Sequence, residues 1–215
     1  MKKLWIILSF SPLIVYGQQA KEKDYESGKL QIGMRTTLSL FSDDGSPGTG
    51  IGGDFRLKFD SRLNSEWFFD YITTDIGKLA HRTDYHIGWS VIYYPFNKEI
   101  KEGKFTPYIA AGHCFDYTEV RKNAVIGFSK HRLSSAIQTG MGVHYNITDN
   151  FDVSLKSQYM LHFGNEIHAE IFTTPDGYED VLIVEEGNLG MEGHLLLTLS
   201  VNVYIADLWG RKPKQ

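Results

Sequence analysis

The chain has 215 residues, of which 22 are basic and 26 acidic, so its formal net charge is −4 and its length suits one domain. A helical membrane protein is excluded because the only long apolar run lies at the N-terminus, and an internal disulfide framework is excluded because Cys114 has no partner cysteine. No sequence-wide basic surface is present, so we expect no nucleic-acid partner.

Residues 1–17 are predicted to form a secretory signal peptide. Two lysines precede the apolar stretch 4–16, and Gly17 completes a cleavage site made of small residues. An uncleaved anchor is disfavoured because this stretch would cover only about 20 Å of a hydrocarbon core of about 30 Å. We therefore expect export of the chain and cleavage before Gln18.

From residue 30 onward, apolar and polar residues alternate with a period of two, which indicates β-strands. The segment 18–29 is predicted to be a periplasmic N-terminal stretch, and 206–215 a C-terminal tail. All six prolines fall in the signal, in connections, at the first residue of a strand or in the tail, so none interrupts a strand. The eight predicted strands span 30–41, 51–60, 66–76, 84–94, 107–118, 132–146, 151–163 and 191–205.

The two faces of these strands differ sharply in charge. On one face, exemplified by Leu195, Leu197 and Leu199 in the last strand, no Asp, Glu, Lys or Arg occurs. The opposite face is rich in glycine and carries nine ionisable residues: Arg35, Asp54, Arg56, Lys58, Glu66, Asp70, Asp116, Asp152 and Lys156.

The charged face decides between a soluble and a membrane-embedded β-protein. A water-soluble β-sandwich, the competing interpretation, would bury its apolar face and expose its charges. Glycines beside the charges suit a narrow lumen instead, and aromatic residues near the strand ends suit the membrane interfaces. We therefore predict an all-β fold, an eight-stranded antiparallel up-and-down transmembrane β-barrel over residues 30–205. Within it, His113 either faces lipid or is turned inward by a bulge beside Gly112, and the sequence leaves both open.

Several segments carry a family resemblance. They are Thr-Pro-Tyr-Ile-Ala-Ala-Gly at 106–112, Thr-Gly-Met-Gly-Val-His-Tyr at 139–145, the turn at 146–150 and the apolar terminal strand 193–205. In these segments the sequence resembles the eight-stranded outer-membrane β-barrels of the OmpA-like and OmpW-like group. The resemblance implies a location in the bacterial outer membrane, in contact with outer-membrane lipid and lipopolysaccharide.

The nine interior residues are the largest group of ionisable side chains. Charges inside a barrel usually pair with one another or stay hydrated, because an isolated buried charge is costly. We interpret them as an ion network that joins the strands across the lumen. The alternative is the lining of a narrow ion path, since eight strands leave no room for a wide pore.

The segment 164–190 is predicted to be an extracellular loop. It contains no Lys or Arg, and its centre is interpreted as a hairpin that extends the last two strands. A solvated acidic surface, an extracellular protein contact and a divalent-cation site that bridges to lipopolysaccharide phosphates all remain open. The acidic residues are Glu166, Glu170, Asp176, Glu179, Asp180, Glu185 and Glu186.

No catalytic set, metal site or cofactor site is predicted. His162, Glu166, His168 and His194 could approach one another at the base of the loop, but their spacing is not that of a known metal motif. The segment 162–165 echoes the His-x-Ser-Asn pattern of lipid A deacylases, yet Gly164 stands where the nucleophile should be.

The sequence therefore predicts a non-enzymatic barrel with a structural or surface-interaction role through its extracellular loops. The first alternative, suggested by the OmpW-like resemblance, is a narrow channel for small or apolar solutes. A lipid A-modifying enzyme is the second alternative.

Overall fold

The computed structural model describes residues 27–41, 47–96, 103–124 and 128–209, and within them the chain forms a closed antiparallel barrel of eight strands in sequence order. This confirms the predicted fold class. The same residues contain no helix long and apolar enough to cross a membrane. The predicted signal peptide lies outside the described residues.

The strands are β1 (Lys29–Phe41), β2 (Pro47–Asp60), β3 (Leu63–Ile76), β4 (Ala80–Tyr93), β5 (Phe105–Lys122), β6 (Ser129–Thr148), β7 (Phe151–Thr173) and β8 (Glu179–Asp207).

Every strand extends beyond its predicted limits at one end or both, and β7 and β8 extend furthest. Their pairing continues from Phe151↔Val203 to Thr173↔Glu179, so the two strands form a long hairpin above the rest of the barrel. The register shifts between Gly164 and Glu166, at the base of this extension. The alternation of apolar outward residues with polar inward residues stops at this base. The strands predicted from that alternation are therefore shorter than β7 and β8 in the structure.

The two ends of the barrel differ in their connections. At one end, which we call the turn end, lie Lys29, Asp207 and the connections 61–62, 94–104 and 149–150. At the other, which we call the hairpin end, β7 and β8 project furthest. The connection 77–79 and the strand ends Phe41, Pro47, Lys122 and Ser129 also lie at the hairpin end.

The outer surface of the barrel is apolar. Met34 is 79% exposed and Leu133 is 73% exposed, as befits side chains that meet lipid. Aromatic pairs lie at both margins of this band: Phe105 and Tyr145 at the turn end, with ring centroids 4.8 Å apart, and Tyr85 and Tyr117 towards the hairpin end, 6.0 Å apart. The band between Phe105 and Tyr117 on tilted β5 is about 30 Å high, which is enough to cross the apolar layer of about 25 Å that outer-membrane barrels span.

His113 lies on the outer face. Neither of its pairings, with Trp89 and with Ile137, contains a register shift, so there is no bulge to turn it inward. Its Nε2 lies 2.7 Å from the Ser135 hydroxyl on the same face. This hydrogen bond gives the imidazole a local partner in an apolar environment.

The interior is filled by apolar clusters at three levels. One lies at the turn end around Tyr94 and Tyr108, and one at mid-height around Phe68 and Met160. The third, which we call the hairpin-end apolar cluster, consists of Ile76, Ala80, Val120, Ile167, Ala169, Val181 and Ile183, with Leu79 packed against it. Ionisable side chains lie between these levels, so the lumen is packed along its length by alternating apolar and charged layers.

Candidate functional site

The first group of interior charges lies between the turn-end and mid-height apolar clusters, and we call it the turn-side ion cluster. Arg35 Nε lies 2.9 Å from Asp70 Oδ1, and its Nη1 lies 3.6 Å from Glu66 Oε1. Arg56 Nη2 donates to Asp152 Oδ1 at 2.8 Å. These pairs join β1 to β3 and β2 to β7, so they connect strands across the lumen.

Lys156 and His144 complete this cluster. Lys156 Nζ donates to Glu66 from the opposite wall and lies 5.4 Å from the centroid of the Phe68 ring. His144 stacks on Tyr108 with ring centroids 4.3 Å apart, and its Nδ1 lies 3.6 Å from Asp152 Oδ1. Permanent cations and carboxylates thus lie in direct contact, which is the arrangement that makes buried charge tolerable.

The second group, which we call the hairpin-side ion cluster, lies above the mid-height apolar cluster. Arg82 bridges two carboxylates, with Nε 3.0 Å from Asp84 Oδ1 and Nη1 2.9 Å from Glu192 Oε1. Arg132 also contacts Glu192, and its Nη2 lies 3.6 Å from Asp116 Oδ2. The remaining members are His86, His162 and His194, which are buried and lie beside Asp116 or one another.

All nine interior residues named from the sequence are buried, but they do not form one network. Asp116 belongs to the hairpin-side cluster, and the other eight lie on the turn side. Lys58 lies nearest the turn end, where it lines a recess of about 30 Å³ with Asn64 and Asp152. That volume holds about one water molecule.

The sequence interpretation missed most of the hairpin-side cluster: Arg82, Asp84, His86, Arg132 and Glu192. Their signal was present, because Arg82, Asp84 and His86 occupy alternate positions on β4 whose neighbours Tyr85 and Ile87 face outward. Asp84 and His86 already lie on the inward parity of the predicted strand 84–94, and continuing the same alternation two residues further would have placed Arg82 in the lumen as well.

The four residues considered for a metal group are only partly brought together. The rings of His162 and His194 meet, with their Nε2 atoms 2.9 Å apart. His168 lies instead on the hairpin, where its Nε2 is 3.2 Å from Glu170 Oε1. The side chain of Glu166 lies outside the described part of the structure.

The hairpin has a buried face and an exposed face. Ile167, Ala169 and Ile183 point towards the barrel mouth and pack in the hairpin-end apolar cluster. Tyr178 at the tip is 75% exposed, and Phe172 is 44% exposed. The hairpin is therefore anchored at its base and presents its tip to solvent.

The acidic residues of the hairpin differ in their surroundings. Asp180 accepts from Lys122 of β5 at 2.6 Å, and this ammonium holds the pKa of the Asp180 carboxyl below its usual value. Glu185 lies 3.6 Å from Lys130 of β6. Glu170, Asp176 and Glu179 are exposed, with Glu170 beside His168 as described, and the side chain of Glu186 lies outside the described part. The barrel wall thus anchors some carboxylates, while others point into solvent.

A family comparison agrees with this architecture. Residues 8–179 match the model of the outer membrane protein beta-barrel domain family, which covers well over half of the chain. No curated protein sequence matches the chain significantly.

Solved outer-membrane barrels share the fold. Neisserial surface protein A is 17% identical with a TM-score of 0.54, and the alignment covers 82% of this chain and 96% of that one. Ail, the attachment invasion locus protein of Yersinia pestis, solved with the heparin analogue sucrose octasulfate, is 12% identical with a TM-score of 0.52 and coverages of 83% and 99%. OprG from Pseudomonas aeruginosa is 15% identical with a TM-score of 0.47 and coverages of 83% and 94%.

Proposed function

Because the chain belongs to the outer membrane protein beta-barrel domain family and resides in the bacterial outer membrane, we propose that it acts without catalysis, through its β7–β8 hairpin, as a surface-interaction protein. Barrels of this membrane have short periplasmic turns and longer extracellular loops. The turn end therefore faces the periplasm, and the hairpin faces the cell exterior. The apolar outer wall contacts outer-membrane lipid and lipopolysaccharide.

One observation carries this proposal: the hairpin tip combines exposed carboxylates with exposed aromatic rings beyond the barrel mouth. Asp176 and Glu179 flank Tyr178 at the tip, and Phe172 lies close by on β7. Aromatic residues are enriched at protein interfaces, and surface charge selects the partner and speeds encounter. An acidic, aromatic tip suits a cationic protein surface.

The sign of this charge separates the chain from Ail. Ail was solved with a polyanionic heparin analogue, whereas the hairpin of this chain has no Lys or Arg between residues 164 and 190. A surface of this sign repels polyanions and attracts polycations. We therefore expect attachment to basic polypeptides and none to heparin.

The packing of the lumen supports a surface role over transport. Phe68, Met160 and Leu196 of the mid-height apolar cluster are each at most 4% exposed, and ion pairs cross the lumen on both sides of them. Ions or solutes would have to displace this whole layer. Silent planar-bilayer recordings and unchanged liposome swelling are the expected results for the refolded chain.

The lipid A-modifying alternative is also disfavoured by the position of His162. In the faint deacylase-like pattern this histidine would have to act on lipid, yet it is 1% exposed and faces Ser134 inside the lumen. Identical lipid A acyl patterns with and without expression of the chain are expected by mass spectrometry.

Binding to a cationic surface tests the proposal. The full chain in lipid nanodiscs is passed over immobilised poly-lysine and, separately, over heparin at two salt concentrations. We expect salt-sensitive binding to poly-lysine only. The variant Glu170→Gln/Asp176→Asn/Glu179→Gln should bind about 3- to 150-fold more weakly, since three ion pairs at a surface together contribute about 0.6–3 kcal/mol.

A matched control separates the hairpin from the overall charge. Asp149→Asn removes a carboxylate at the turn end and should leave poly-lysine binding unchanged. EDTA, which would abolish a bridge made by a divalent cation, should also leave the binding unchanged. Equal binding by the wild-type chain and the triple variant would refute the hairpin as the contact site.

A further inference from the structure

Three histidines converge inside the barrel from β4, β7 and β8. His86, His162 and His194 are each at most 2% exposed, and one ligand atom from each lies within 4.8 Å of the others. Neutral imidazole is the commonest protein ligand for transition metals. Burial of three of them at one point, beside ion pairs and apolar layers, is an arrangement that packing alone does not require.

The rings of His162 and His194 are oriented as metal ligands usually are. Their Nε2 atoms face each other at 2.9 Å, while the opposite nitrogens contact polar groups of the wall. His162 Nδ1 lies 3.1 Å from Ser134 Oγ and 3.2 Å from Asp116 Oδ2, and His194 Nδ1 lies 3.4 Å from Ser39 Oγ. A metal-binding histidine characteristically places its second nitrogen against a carboxylate or another polar group, which fixes the ring.

His86 supplies an independent observation. Both of its ring nitrogens are buried and have no hydrogen-bond partner among the described residues, although Nε2 lies 3.4 Å from Asp116 Oδ1. A buried polar atom without a partner costs free energy, and such atoms mark places where a ligand would be stabilising. The His86 ring centroid lies 5.5 Å from that of His194 and 5.9 Å from that of His162, so it faces the same point.

The charge around the histidines favours a cation. Three carboxylates, Asp84, Asp116 and Glu192, surround them with two guanidinium groups, Arg82 and Arg132. Carboxylates thus outnumber permanent cations by one in this cluster. The excess offsets part of the charge of a divalent ion.

We propose that His86, His162 and His194 bind one divalent transition-metal ion of the Zn²⁺ class, with Asp116 orienting the His162 ring. Metal–nitrogen distances of about 2.0–2.1 Å require small rotations of the three rings from the separations seen here. The mid-height apolar cluster closes the site from below and the hairpin-end apolar cluster closes it from above. The ion therefore enters during folding or when the hairpin opens. Once bound, it connects β4 to β7 and β8.

Metal retention by the refolded full chain tests this site. The chain, purified without a histidine tag, is refolded in detergent with Zn²⁺ or Co²⁺, washed with chelator and analysed by mass spectrometry of the metal. We expect one ion per folded barrel and visible Co²⁺ absorption of a four-coordinate site. Asp116→Asn should weaken retention by about 10–100-fold, as for other partners of ligating histidines.

A matched pair of variants separates this site from adventitious binding. His86→Gln should lose stoichiometric metal. His144→Gln, which alters an equally buried histidine of the turn-side ion cluster, should keep it. Gel mobility with and without heating reports folding of each variant.

Pulsed electron paramagnetic resonance of the Cu²⁺-loaded wild-type chain counts coordinated imidazoles without any substitution, so the test does not depend on the variants folding. Three coupled imidazoles are expected. Less than about one ion in ten barrels after loading, equal retention by His86→Gln, or fewer than three coupled imidazoles would overturn the proposal. None of these outcomes depends on the hairpin binding a partner.

Discussion

Both ion clusters of the lumen contain buried carboxylates, but the groups that contact those carboxylates differ between the two. On the turn side, Arg35, Arg56 and Lys156 contact carboxylates directly, so permanent cations balance the carboxylates there. On the hairpin side, Asp116 instead faces the imidazoles of His86 and His162. The comparison shows that one closed lumen accommodates buried carboxylates beside permanent cations at one level and beside imidazoles at another.

The largest loss of stability is expected for a substitution in the turn-side ion cluster. Glu66→Ala leaves Arg35 and Lys156 buried without their shared carboxylate, and removal of one partner from a buried ion pair typically costs about 3–5 kcal/mol. Urea unfolding in detergent or lipid should show a loss of that size. A loss below 1 kcal/mol would mean that these charges are hydrated in the folded barrel.

A smaller effect is expected in the hairpin-side cluster. Asp116→Asn leaves Arg132 paired with Glu192, and the imidazoles need carry no charge, so the cost is mainly that of weakened hydrogen bonds, about 1–3 kcal/mol. The same unfolding assay, run without added metal, compares it with Glu66→Ala. If Asp116→Asn proved the more destabilising of the two, the contrast between the clusters would be wrong.

The close approach of strands around the turn-side cluster gives a third prediction. A Cβ atom at Gly52 would collide with the Phe69 carbonyl and the Asp70 side chain, whereas one at Gly53 would lie on the open outer face. Gly52→Ala should therefore destabilise the barrel by about 1–3 kcal/mol. Gly53→Ala serves as the neighbouring control and should change the free energy of unfolding little. Equal effects would contradict the assignment of faces.

The smallest effect concerns the hairpin anchor between Lys122 and Asp180. Because the pKa of Asp180 is lowered in the folded chain, this contact stabilises the hairpin above the usual pKa of an aspartate and is lost as pH falls through the lowered value. Lys122→Met should return the pKa of Asp180 towards about 3.9 without unfolding the barrel. Carboxyl carbon chemical shifts measured against pH report the change. An unaltered titration curve would show that Lys122 does not hold this carboxylate.

The fold could be predicted from the sequence because it depends on a local pattern, the alternation of residues along each strand. Alternation places Met34 outside and Arg35 inside whatever the partner strand is, and the same rule identifies all eight strands. Partners across the lumen depend on the stagger of the closed barrel, which no local pattern encodes. The pairing of Arg56 with Asp152 and the approach of His86 to His194 therefore required the structure.

The β7–β8 hairpin was predicted less completely than the membrane-spanning part of the barrel. Its acidic composition and its pairing as a hairpin that extends the last two strands were predicted from the sequence, but its buried face and the anchoring of Asp180 to β5 were not. A strand outside the membrane needs no apolar outer face, so its alternation is weaker and its limits are hard to predict.

The central functional claim is that the exposed tip of the hairpin, above a closed lumen, carries the interaction. Replacing residues 172–180 by Asn-Gly removes the tip and retains the pair Ile171↔Val181 and the buried face below it. Poly-lysine binding by this shortened chain in nanodiscs is the most direct measurement. We expect a folded, heat-modifiable barrel that no longer binds poly-lysine; full binding by the shortened chain would mean that the hairpin tip is not the contact site.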